Sequence, residues 1–72
     1  MNKGQISNNI RRLRFDHDEM TQKELAEKTG VSRQTIVAIE KAKYSPSLEL
    51  AFQIAHAFGR PVQDVFSYEI LE

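Results

Sequence analysis

Between Thr21 and Lys41 the chain carries signals to start a helix, stop it and start another almost at once. No other feature constrains the fold as tightly. Thr21-Gln22-Lys23-Glu24 fits a capping box, in which the Thr21 hydroxyl accepts from the Glu24 amide and the Glu24 carboxylate reaches back. Leu25 and Ala26 then face inward and Glu27 and Lys28 outward. Gly30 stops the helix, because the left-handed backbone of a helix C-terminus costs glycine least. Val31 follows, and Ser32 caps a further helix from about Arg33 to Lys41. Helices this short are marginal alone in water, so tertiary packing must hold both.

The rest of the chain supplies packing partners. A first helix is expected from about Ser7 to Phe15, with Ile6, Ile10 and Leu13 on one stripe and Arg11 and Arg12 outside it. Asp16-His17-Asp18-Glu19 is a polar break. Lys43-Tyr44-Ser45-Pro46 is a loop, since Pro46 pushes Ser45 out of the helical region. Ser47 caps a fourth helix, Leu48 to Phe58, with Leu48, Ala51, Ile54, Ala55 and Phe58 as its apolar face. Gly59 ends it, and Pro61 opens a short fifth helix carrying Val62, Val65 and Phe66. The tail from Ser67 is rich in residues that favour strands. The expected architecture is all-α: one domain over residues 1–72, five helices with a core at 7–67 and a tail at 68–72. The tail has room to form a short terminal β-strand pair with the segment Lys3-Gly4-Gln5-Ile6.

A chain of 72 residues without cysteine has neither disulfides nor thiolate metal sites to support a small core. Well-capped helices or burial of surface in an oligomer must supply the stability instead. His17 and His56 lie in different elements with no third ligand at a useful spacing, so no metal or other cofactor is expected. No Ser-His-Asp arrangement or glycine-rich phosphate loop is recognisable, which leaves an enzyme nothing to rest on. No apolar run approaches the roughly 20 residues of a membrane span, and no signal-peptide stretch opens the chain. A cytoplasmic location is the expectation. Net charge is zero, but it is segregated. Residues 1–44 hold nine of the Lys and Arg against six acids, while residues 45–72 hold Arg60 against four acids. A phosphate backbone responds to the local field, so this distribution permits a nucleic-acid partner.

On the third helix, Thr35, Ile36, Ile39 and Glu40 share one side, and Arg33, Gln34, Val37, Ala38 and Lys41 the other. The outer side leads with two long hydrogen-bonding side chains and follows with small ones, as a helix entering a major groove requires. Arg can bond guanine bidentately and Gln can do the same with adenine.

The run from Gln22 to Glu40 resembles the helix-turn-helix of the phage repressor/Cro, or Xre, family. The continuation Lys41-Ala42-Lys43-Tyr44-Ser45-Pro46-Ser47-Leu48 and the ending Pro61-Val62-Gln63-Asp64-Val65-Phe66 match as well. The likeness covers about residues 7–67 and is nearest to the small stand-alone dimeric regulators. The Asp16-to-Glu19 segment departs from it, being one residue longer and more acidic than usual.

The resemblance implies a lambda-repressor-like domain whose residues Arg33, Gln34, Val37 and Ala38 read bases. It implies phosphate contacts at Gln22, Lys41, Lys43 and Tyr44, with Ser32 and Thr35 as further candidate donors. It pairs Arg14 with Glu40, an ion pair that would fix the angle of the recognition helix. The implied partner is a double-stranded DNA operator, bound by a homodimer acting as a repressor, with no small-molecule effector evident. Phe66, Tyr68, Ile70 and Leu71 are the candidate dimer contacts, since a monomer would expose part of that apolar tail. Two rivals remain: an antitoxin-like or co-regulator module whose main partner is a protein, and an activator touching polymerase through Asp16, Asp18 and Glu19.

Overall fold

The computed structural model describes residues 4–70. In chain order the elements are β1 (Gly4–Asn8), α1 (Ile10–Asp16), α2 (Gln22–Thr29), α3 (Arg33–Glu40), α4 (Leu48–Phe58), α5 (Val62–Val65) and β2 (Phe66–Ile70). Five helices thus enclose the core, and the two strands pair antiparallel at one end.

The helix boundaries follow from local capping chemistry. Glu24 N donates to Thr21 Oγ1 and Thr21 N to Glu24 Oε1, each at 2.9 Å, so both halves of the capping box are made. The Thr21 backbone N–H, followed by its hydroxyl and with help from Lys28, holds the Glu24 carboxyl below its ordinary value. A depressed carboxylate stabilises the fold above its unfolded pKa, and that contribution is lost as pH falls through the lowered value. Ser32 accepts from Thr35 N and Ser47 from Leu50 N, both at 3.1 Å. Gly30 ends α2 at φ 74° and Gly59 ends α4 at φ 64°, backbone conformations that side chains with a Cβ rarely adopt.

Every helix contributes to one core. Ile10 and Leu13 come from α1, Leu25 and Ala26 from α2, and Ile36 and Ile39 from α3. Leu50, Ile54, Ala55 and Phe58 come from α4 and Val65 from α5. Burying each large aliphatic side chain is worth about 1.5–3 kcal/mol, which is how helices of one or two turns persist here.

Two boundaries and one buried face differ from expectation, each for a physical reason. Helix α1 begins at Ile10 rather than near Ser7. The Asn8 side chain folds back so that its Oδ1 accepts from Ile10 N at 3.1 Å, and its Nδ2 donates to the Ile39 carbonyl at 2.9 Å. Asn side chains compete with the backbone in this way, and they favour turns over helix interiors. Asn9 N then donates to the Val65 carbonyl at 2.9 Å, and the residues before it run out as strand. Ile6 accordingly lies on the sheet and not on the helical stripe. On α4, Leu48 is 74% exposed, and the buried stripe is Leu50, Ile54 and Phe58 with Ala55 beside it. Leu48 and Leu50 are about 200° apart around a helix, so only one of them can face inward. Finally, α5 is a single turn that ends at Val65, and Phe66 already has extended backbone as the first residue of β2.

The strand pairing sets Gly4 opposite Ile70, Ile6 opposite Tyr68 and Asn8 opposite Phe66. Side chains alternate across a strand, so Ile6, Tyr68 and Ile70 share one face with Phe66. The other face is polar, with Ser7 Oγ and Ser67 Oγ 2.7 Å apart. The Tyr68 ring lies across Gly4, filling the space a Cβ there would take.

Candidate nucleic-acid interface

The two helices of the capped run pack closely, and α3 rests on the core through Ile36 and Ile39. Its outer side carries Arg33 and Gln34, both exposed, at the N-terminal turn. Val37 and Ala38 follow, half-buried, so that nothing bulky stands behind the two long side chains. Lys41 is the exposed C-cap one residue past the helix. The helix therefore presents a slim leading edge with rich donors and acceptors at its front.

The angle of this edge is set from behind. Arg14 of α1 donates from Nε to Glu40 Oε2 at 2.7 Å and from Nη2 to Glu40 Oε1 at 3.1 Å, a two-pronged pair. Its Nη1 donates to the Met20 carbonyl at 2.8 Å. Both side chains are largely buried, at 16% and 10% exposure. Glu40 closes α3, so the fork ties the C-terminal end of that helix to α1 and to the loop entering α2. Gln22 Nε2 makes a longer contact, 3.4 Å, to Glu40 Oε1. Gln22 is thus half-buried at the head of α2 and joined to the same network.

The remaining candidates lie around α3. The Ser32 and Thr35 hydroxyls are 2.9 Å apart, and Ser32 also accepts the Thr35 amide. One hydroxyl donates to the other, which leaves one O–H of the pair free to meet a phosphate. Lys43 and Tyr44 are exposed in the loop after α3. Ala42 sits in the left-handed region at φ 58°, and Lys43 N returns to the Ala38 carbonyl at 2.9 Å, closing α3 tightly ahead of that loop. Of the candidate dimer residues, Tyr68 and Ile70 are exposed at 61% and 51%, but Phe66 packs partly against the core. Leu71 and Lys3 lie outside the described residues.

Three cations to which the sequence assigned no role lie beside α3. A groove of about 1150 Å³ runs beside α3, bounded by α1 and the start of α2, and Arg11, Arg12 and Lys23 line it together with Arg33 and Lys41. The adjacent Arg11-Arg12 pair off the apolar stripe was the available signal. Its position relative to α3 depends on how α1 rotates on the core, which local pattern does not specify. His17 is half-buried by contrast, its ring edge-on to Phe58 at 5.3 Å and its Nδ1 3.0 Å from the Leu13 carbonyl. Among the described residues no helix is long and apolar enough to cross a membrane.

A family model described as helix-turn-helix matches residues 10–65, from the first residue of α1 to the last of α5. An HTH-type transcriptional regulator of Methanocaldococcus jannaschii is 55% identical over 64 residues, spanning 89% of this chain and 96% of that one. One from Bacillus subtilis is 48% identical over 58 residues, 81% and 83% of the two chains. The cryptic phage CTXphi transcriptional repressor of Vibrio cholerae is 38% identical over 62 residues, covering 86% of this chain and 55% of the repressor. With pattern, caps and packing agreeing from α1 to α5, the chain belongs to the helix-turn-helix family of the Xre, or Cro/C1, type, and is a transcriptional regulator with a DNA-binding domain.

Proposed function

We propose that the chain is a sequence-specific repressor that binds a pseudo-palindromic operator as a homodimer. The observation that carries this reading is the outer edge of α3, where exposed Arg33 and Gln34 lead and half-buried Val37 and Ala38 follow. Inserted in a major groove, the first two side chains reach base edges, and the next two let the helix backbone approach closely. Gln22, Lys41, Lys43, Tyr44 and the Ser32–Thr35 hydroxyl pair surround that edge and meet phosphates, fixing register without reading sequence. Two such helices on a dimer enter successive major grooves about 34–36 Å apart. The exposed Ile6, Tyr68 and Ile70 supply the self-complementary face a two-fold contact needs. Occupancy of a promoter blocks polymerase, and the similarity to a phage transcriptional repressor supports that sign of regulation. The protein acts in the cytoplasm, where its DNA is.

Arg33→Ala and Gln34→Ala are each expected to weaken specific binding by about 1–3 kcal/mol and to relax preference at one or two operator positions. Binding to random-sequence duplex should change much less. Titration of matched and mismatched operators reads both effects, and an unchanged affinity and preference in either variant contradicts the assignment of that residue.

Lys43→Ala is expected to weaken binding to all sequences alike and to lower the slope of log affinity against log salt by about one unit per half-site. A loss confined to particular sequences would instead assign Lys43 to base reading.

A further inference from the structure

The groove beside α3 has a composition that the recognition helix alone does not explain. Arg11 and Arg12 on α1 and Lys23 on α2 line it with Arg33 and Lys41 of α3, so it is continuous with the base-reading edge. Two carboxylates, Glu19 and Glu40, also line it. Glu40 is neutralised by the Arg14 fork. Among the described residues, none of the other five cations has a carboxylate within ion-pair distance. With only Glu19 set against them, five like charges gathered in one concave surface repel one another, and their field lines are focused in the groove. An anion held in the space would relieve that repulsion.

The groove is also not purely polar. Phe15, 68% exposed on the last turn of α1, also lines it. A polyanion whose charges alternate with apolar rings fits this lining, and the sugar-phosphate strand of duplex DNA has that character. Small anions would meet the cations but not the ring.

We infer that Arg11, Arg12 and Lys23 form a second clamp on one DNA strand, gripping the backbone beside the major groove that α3 occupies, with Phe15 against the deoxyribose. The inference rests on the proposed DNA-binding reading and extends it to α1. The clamp carries no sequence information, because phosphates and sugars are the same at every step. It adds affinity and salt dependence and lengthens the protected strand beyond the contacts of α3 and its following loop.

The test uses the full chain and a duplex carrying one half-site, so that dimerisation does not enter. Arg11→Gln with Arg12→Gln should lower the salt slope by about two units and weaken binding roughly 10–100-fold near 0.1 M salt, on matched and random duplexes alike. Both side chains are exposed, so the melting temperature should hold. Arg11→Lys with Arg12→Lys should keep the slope, and ethylation of the flanking phosphates should interfere with the parent protein but not with the glutamine variant. Phe15→Ala should weaken binding without moving the slope. An unchanged slope and affinity in the glutamine variant overturns the clamp while leaving the recognition helix in place. A loss confined to matched sequence overturns it too, by making the arginines base readers. Failure of the parent protein to bind any duplex defeats the underlying reading, a distinguishable result.

Discussion

Arg14→Met should destabilise the protein by up to roughly 3–5 kcal/mol, the cost of leaving one member of a buried ion pair without its partner and the upper bound for this mostly buried one. The pair is mostly shielded from water, with 16% and 10% side-chain exposure, and the guanidinium makes three hydrogen bonds at once. In a domain whose whole stability is of order 5–15 kcal/mol, that is a large fraction. The double change Arg14→Met with Glu40→Leu should recover part of it, because two apolar side chains replace two charges that both had to leave water. Recovery should be incomplete, since the Met20 carbonyl still loses its donor. Urea titration of the parent, both single variants and the double variant separates the terms, and strictly additive losses would show that the two residues do not interact. Operator binding should fall with stability in Arg14→Met and return in part in the double variant. The fork ties the end of α3 to α1, so losing it lets the reading edge tilt.

The second large effect concerns the terminal sheet. Changing Tyr68 and Ile70 to Lys should convert a dimer into a monomer and weaken binding to a two-half-site operator by roughly 10²–10⁴-fold, while binding to one half-site changes little. The lost factor is the effective concentration that linking two sites provides. Tyr68 and Ile70 are the residues to change because both are exposed, whereas Phe66 packs against the core and its replacement would damage the fold. Deleting the chain from Tyr68 should act similarly but also strips β1 of its partners, so the point changes are cleaner. A two-stranded ribbon is marginal alone in water; this one is anchored to the core through Phe66, and its exposed Ile6, Tyr68 and Ile70 form the face that the proposed dimer would cover. Sedimentation of the parent at tens of micromolar should show a dimer. A monomer that still binds the full operator tightly would defeat the proposal.

The legible parts of the fold were those fixed by chemistry within a few residues. Thr21 with Glu24, Ser32, Ser47, Gly30 and Gly59 each specify a helix end by a local hydrogen bond or a backbone preference, and the structure has each where the pattern put it. The strand pair was anticipated at the tail and runs further than expected, to Asn8. Illegible parts were those decided by contacts between distant segments. Ser7 and Asn8 fit a helix start by pattern, yet pairing with residues 66–67 and the Asn8 bond to Ile39 make them strand. Leu48 and Leu50 are equally apolar, and only the packing of α4 decides which is buried. For the interface, the outer edge of α3 could be read because helical periodicity alone separates it from the core side. The groove could not, because it exists only where α1, α2 and α3 come together.

Selection of bound duplexes from a random pool tests the central claim most directly. The account predicts enrichment of an inverted repeat with half-site centres about 34–36 Å apart, about one helical turn. It also predicts that Arg33→Ala broadens the same one or two positions in each half. A pool that shows no enrichment over its input, with every duplex bound equally well, would contradict it.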